Sequence, residues 1–172
     1  MLNKTQVFPR MVSLVQKVED YILICLLLIM ITLAVLQIFL RNFFDSGIVW
    51  GDSLVRVLVL WIGLVGAMIA SRTDNHISID ILSRYLPSEI KRFSSLVTHV
   101  FTTVVTALMA WFSLEFVRME MGVNLTAFAN VPAWVCESII PIAFGVISIR
   151  YALFSIKVFV QLVAKKREGQ KS

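Results

Sequence analysis

The stretch WGDSLVRVLVLW, Trp50 to Trp61, sets an acid and a base four residues apart at the mouth of an apolar run. On a helix, Asp52 ahead of Arg56 is the favourable order for an ion pair, and Asp52 also suits the positive end of a helix starting there. The pair can be a boundary anchor with Trp50 at headgroup depth, or part of a docking surface with Arg41 and Glu137; the spacing leaves both open. Neither is bond-making chemistry. The two histidines cannot both be haem ligands at matching depth: His99 falls inside an apolar run, whereas His76 falls between runs, four before Asp80, at the spacing of a local hydrogen bond. Cys25 lies one turn in from the cytoplasmic side of the first run and Cys136 near the outer end of the fourth, so the two are expected far beyond the roughly 7 Å reach of a disulfide. No Cys or His pair has metal-ligand spacing. The residues predict no cofactor, no metal and no enzyme, and the NLT at Asn124 reads as a chance sequon.

The elements that carry these residues are membrane helices. Of 172 residues 58% are hydrophobic and 16% charged, against about 25% charged in a soluble domain. Four apolar runs are long enough to cross a hydrocarbon core of about 30 Å at about 1.5 Å per residue. The expectation is an all-α integral membrane protein, one membrane domain over 1–172, with transmembrane helices at about 20–41, 53–71, 93–115 and 133–153. The first run is too long for a signal-peptide core and ends in Arg41-Asn42-Phe43-Phe44 rather than a small-residue cleavage site, so it reads as an uncleaved anchor. Residues 5–20, with Phe8, Met11, Val12, Val15 and Val18 at helical spacing, read as an amphipathic interfacial segment or as an extension of the first helix. Ile77, Ile81, Leu82 and Tyr85 suggest a second surface helix before Pro87. Residues 154–164 continue the fourth helix, and 165–172 form a polar tail.

Twelve of the sixteen cations lie before the first run, between the second and third, or after the fourth, including Arg72. The positive-inside rule then places both termini in the cytoplasm. The net charge of +5 reflects this bias and not nucleic-acid binding, because no groove-sized basic patch with interleaved aromatics exists.

Small and polar residues form stripes. Ser95, His99, Thr102, Thr106, Ala110 and Ser113 follow one face of the third helix; Ser138, Pro141, Gly145, Ser148, Ala152 and Ser155 follow the fourth; Gly63, Gly66, Ala67 and Ala70 mark the second. In lipid such faces allow close helix approach and interhelical hydrogen bonds. They either pack the four helices together or dock a second membrane protein. No acids cross the bilayer at mid-depth, where a charge is costly and kept for use. That disfavours an autonomous transporter or channel, and the histidine placement disfavours a redox anchor.

QIFLRNFF, then WGDSLVRVLVLWIGLVGAMIASRTDNHISIDIL, then LP and the basic EIKRF, resemble the small (DctQ-like) membrane subunit of tripartite ATP-independent periplasmic, or TRAP, transporters. The likeness covers nearly the whole chain and is densest from Gln37 to Leu82, where Arg41, Trp50, Asp52, Arg56, Arg72, His76, Ile79 and Asp80 stand in the expected order. Ser53 departs from it, since family members often carry a second acid there. The resemblance implies a multi-pass protein of the bacterial inner membrane that braces a large membrane subunit. That subunit holds the substrate and sodium sites, while a periplasmic binding protein delivers an organic anion such as a C4-dicarboxylate or sialic acid. The small-residue faces, chiefly of the third and fourth helices, are then expected to pack on the large subunit with phospholipid in the gaps, and the edge near Trp50, Asp52 and Arg56 to help the binding protein dock.

Overall fold

The structure, a computed structural model, describes residues 4–72, 88–123 and 125–168, with side chains for 12–72, 94–123 and 125–162. In chain order the elements are α1 (Lys4–Phe44), α2 (Gly51–Ala70), α3 (Ser88–Val123), β1 (Thr126–Phe128), β2 (Val131–Pro132), α4 (Ala133–Glu137) and α5 (Ile139–Glu168). Four stretches are long and apolar enough to span a membrane: Val12–Phe44, Gly51–Ala70, Ser94–Val123 and Ala133–Leu162. His76, Asp80, Asn124 and the surface helix expected around residues 77–85 lie outside the described residues.

The boundaries differ from the expected ones for local reasons. The 5–20 segment is the continuous start of α1, with no break near residue 20. α3 runs on past residue 115 to Val123, and α5 carries the helix through 165–168. The fourth span is two helices, not one. Pro141 has no N–H to return to the Glu137 carbonyl, so the ladder parts at Ser138, and the proline falls in the first turn of α5, where it is tolerated. Beside the break, the Cys136 carbonyl accepts a hydrogen bond from Trp61 Nε1 at 2.8 Å.

α1 packs along α2, α2 along α5, and α5 along α3, so the helices form a row rather than a closed bundle. The α1 seam explains its straight run. Gln16, Glu19, Leu23, Leu26, Met30, Leu33, Gln37 and Leu40 are its more covered positions, spaced alternately by three and four as in a coiled-coil stripe. In the middle of the row Met68, Ala143 and Ile147 form a small buried core with Leu64, Val146 and Tyr151 against it. Between α3 and α4 a β1–β2 hairpin turns at Ala129 and Asn130, both with positive φ (41° and 65°), as a two-residue primed turn requires. Asn tolerates this conformation better than Ala does. Phe128 of the hairpin lies 6.5 Å from Trp50, ring centre to ring centre. The ends of the row are called below the hairpin end and, where the chain starts and finishes, the termini end.

Candidate functional site

Glu19 and Gln37, the buried polar side chains of the α1 seam, each meet partners at one end of α2, so the polar chemistry of the row sits in two clamps. At the hairpin end, Asp45 at φ 48° stops α1 in the left-handed conformation common at helix C-termini. The chain then returns beneath Gln37. Gln37 Nε2 donates to the Ile48 carbonyl at 3.0 Å, which also accepts from Gly51 N–H at 2.9 Å, and Gln37 Oε1 accepts from Ile48 N–H at 3.3 Å, so the buried amide gives that N–H the partner the turn does not supply. The same Nε2 reaches Asp52 Oδ1 at 3.4 Å. Gly51 is buried against this side chain, and a Cβ there would lie 2.8 Å from Gln37 Oε1. Asp52 does not pair with Arg56. Its Oδ2 meets Arg41 Nη2 at 2.7 Å, with side chains 52% and 62% exposed. The preceding turn brings α1 within reach, while Arg56 points outward on an open face and makes no ion pair among the described residues. Glu137, the other residue expected near Arg41, instead keeps one carboxylate oxygen buried without a hydrogen-bond partner.

At the termini end, Glu19 holds two guanidinium groups, one on each oxygen. Oε2 meets Arg72 Nη2 and Oε1 meets Arg150 Nη2, both at 2.7 Å. Arg72 also donates to Asp20 Oδ1 and to the Gln16 carbonyl, each at 2.7 Å. Arg150 donates through Nη1 to the Met68 carbonyl and to Ser71 Oγ, the latter at 3.1 Å. The Glu19, Arg72 and Arg150 side chains are only 10%, 12% and 18% exposed. Burial pulls the Arg72 guanidinium down, but hydrogen bonds and charges from Glu19 and Asp20 outweigh it and hold the group above its ordinary value. The cluster joins the first, second and last spans in one network.

The small-residue stripes separate on inspection. The third-helix stripe faces α5: His99 is fully buried, with Ser95 Oγ 3.1 Å from its Nε2 and the rings of Tyr151 and Phe154 each 5.9 Å away. Thr106 is buried as well, and Thr102 partly so. Their hydroxyls are not interhelical glue. Thr103 donates to His99 O and Thr106 to Thr102 O, both at 2.7 Å, while Ser148 Oγ crosses between helices to donate to Thr103 O at 3.3 Å. Ser138 caps the helix break through Val135 O, and Gly145 is half-covered on α5 with nothing within 4 Å of where a Cβ would sit. The second-helix stripe is the open one. Asp52, Arg56, Val59, Gly63, Ala67 and Ala70 are all exposed along a single face of α2.

Sequence reasoning missed Glu19, Gln37 and Arg150 as partners. The signal was present: Glu19 and Gln37 occupy positions of the three-four seam that from Leu23 to Leu40 is otherwise filled by Leu and Met, and a polar residue at such a position specifies register. Among the described residues no three His, Cys, Asp or Glu side chains group as a metal site.

Comparison with known proteins gives this arrangement a context. Residues 9–161 match the model of the DctQ component of the tripartite ATP-independent periplasmic transporters. A putative TRAP transporter small permease protein of Haemophilus influenzae is 24% identical over 120 residues, covering 70% of this chain and 73% of that one. The sialic acid TRAP transporter permease protein SiaT of Haemophilus influenzae is 27% identical over 81 residues, 47% of this chain. The isethionate TRAP transporter permease protein DctMQ of Oleidesulfovibrio alaskensis is 24% identical over 106 residues, 61% of this chain. The alignments take up only 13% and 17% of those last two, much longer, relatives.

Proposed function

Because this chain belongs to the DctQ family, the small membrane component of TRAP transporters, we propose that it is the static brace of a sodium-coupled importer of an organic anion. It is a multi-pass membrane protein that works with a large membrane subunit, and the name DctMQ reflects a relative in which the two components share one polypeptide. The observation that carries the bracing role is the row itself. Its mid-depth residues are apolar or small, its charges are gathered at the two ends of α2, and no polar file crosses it among the described residues. A row so built offers broad faces to a partner and no route to an ion.

The large subunit covers the open α2 face, where Gly63, Ala67 and Ala70 allow close approach of a second helix, and it carries the substrate and sodium sites. The substrate is an organic anion, as the relatives named for sialic acid and isethionate suggest, with a carboxylate such as a C4-dicarboxylate in the same class. A periplasmic binding protein delivers it at the hairpin end, where Trp50, Asp52 and the outward Arg56 are exposed, while both termini lie in the cytoplasm. Replacing Gly63 and Ala67 by Leu is expected to reduce co-purification with the large subunit while the chain itself still folds; undiminished recovery rejects that face. Arg56→Glu is expected to impair uptake with assembly intact, and normal uptake rejects the docking role. Vesicles holding this chain alone should move neither solute nor sodium.

A further inference from the structure

The two clamps mark the faces of the hydrocarbon. Glu19 and Gln37 are eighteen residues apart on α1, about 27 Å of helix, and the 20 residues of α2 between the clamps span about 30 Å, the thickness of a bilayer core. A helix that only just spans cannot tilt steeply without falling short, and its neighbours are tied to it at both ends, so the row stands close to upright. α1 before Glu19 and α5 after Arg150 therefore emerge from the hydrocarbon at the termini end. Their first turns outside it remain apolar and uncovered: Val15 and Val18 on α1, Leu153 and Ile156 on α5.

The same turns carry Lys17 and Lys157, both exposed and without an ion pair among the described residues. Lys17 lies about 3 Å and Lys157 about 10 Å beyond the clamp at about 1.5 Å per residue, which is headgroup depth. Arg72 and Arg150 occupy that depth too, but Glu19 and Asp20 already neutralise them. We propose that Lys17 and Lys157, each with its flanking apolar side chains, are seats for anionic phospholipid in the leaflet at the termini end. The ammonium meets the lipid phosphate, and Val15, Val18, Leu153 and Ile156 lie against the glycerol and upper acyl region. The arginines of the same level take no part. The inference rests on the chain spanning the membrane and stands apart from the bracing role.

The test places the full chain in nanodiscs of phosphatidylglycerol and phosphatidylcholine in equal amounts and counts the lipids it retains by native mass spectrometry. Phosphatidylglycerol should be enriched above its share, the enrichment should weaken with added salt, and Lys17→Gln with Lys157→Gln should return retention to the bulk ratio. Both lysines are exposed and unpaired, so the double variant should fold. Equal retention of the two lipids on the unaltered chain, or enrichment that survives in the double variant, overturns the proposal. So does a double variant that keeps its phosphatidylglycerol but no longer co-purifies with the large subunit, since the lysines then face protein.

Discussion

Arg41 meets Asp52 at the hairpin end, and Arg150 meets Glu19 at the termini end, both at 2.7 Å, yet the two contacts do different work. The first pair is more than half exposed and can exchange its partner for water and salt. Its share of the clamp is small beside that of the buried Gln37 amide, which pairs the Ile48 N–H that the turn leaves without a backbone partner. The second pair is nearly covered, and its carboxylate is shared with a second guanidinium, so losing the carboxylate leaves Arg150 without an acid and Arg72 with Asp20 alone. The lesson concerns surroundings rather than distance: an ion pair is worth what its burial and its other partners make it.

Four substitutions would break or sharpen that contrast. Glu19→Ala leaves Arg72 and Arg150 without their shared carboxylate and should cost about 3–5 kcal/mol, the range for breaking a buried pair; thermal unfolding of the detergent-solubilised chain reads it. Arg150→Met removes a charge and orphans none, since Glu19 keeps Arg72, so the same assay should show a clearly smaller loss. Gln37→Ala should cost about 1–3 kcal/mol, the penalty for leaving the Ile48 N–H unpaired, and should raise the rate of protease cleavage in the 45–50 turn. Arg41→Ala should cost no more than about 1 kcal/mol and should lose even that in high salt. A reversal of the first and last results would mean that burial does not rank these clamps.

The hairpin end also shows how far local spacing carries. Asp52 and Arg56 have the right spacing for a helical pair, and in an isolated helix they would form one. Here the turn at Asp45–Trp50 delivers Arg41 to the same carboxylate, and Arg56 is left facing outward. The third-helix stripe was legible as a buried face, yet not against what. It packs on α5 of its own chain because α5 brings Tyr151 and Phe154 beside His99 and small residues opposite Thr103. The break at Ser138 could have been read from Pro141, whose missing N–H leaves the Glu137 carbonyl unbonded. Glu19 was visible as an acid near an apolar run, but nothing local pointed to Arg150, 131 residues away.

Length and apolarity by themselves determined that this chain has four spanning helices, because a backbone in hydrocarbon must satisfy its own hydrogen bonds and only a helix of about twenty residues does so across that thickness. The motifs between Gln37 and Leu82 likewise carried the family. The tertiary structure alone decided which cation meets which acid and which small-residue face stays open. Both depend on how helices distant in sequence are brought side by side, and periodicity along one helix holds no record of its neighbour.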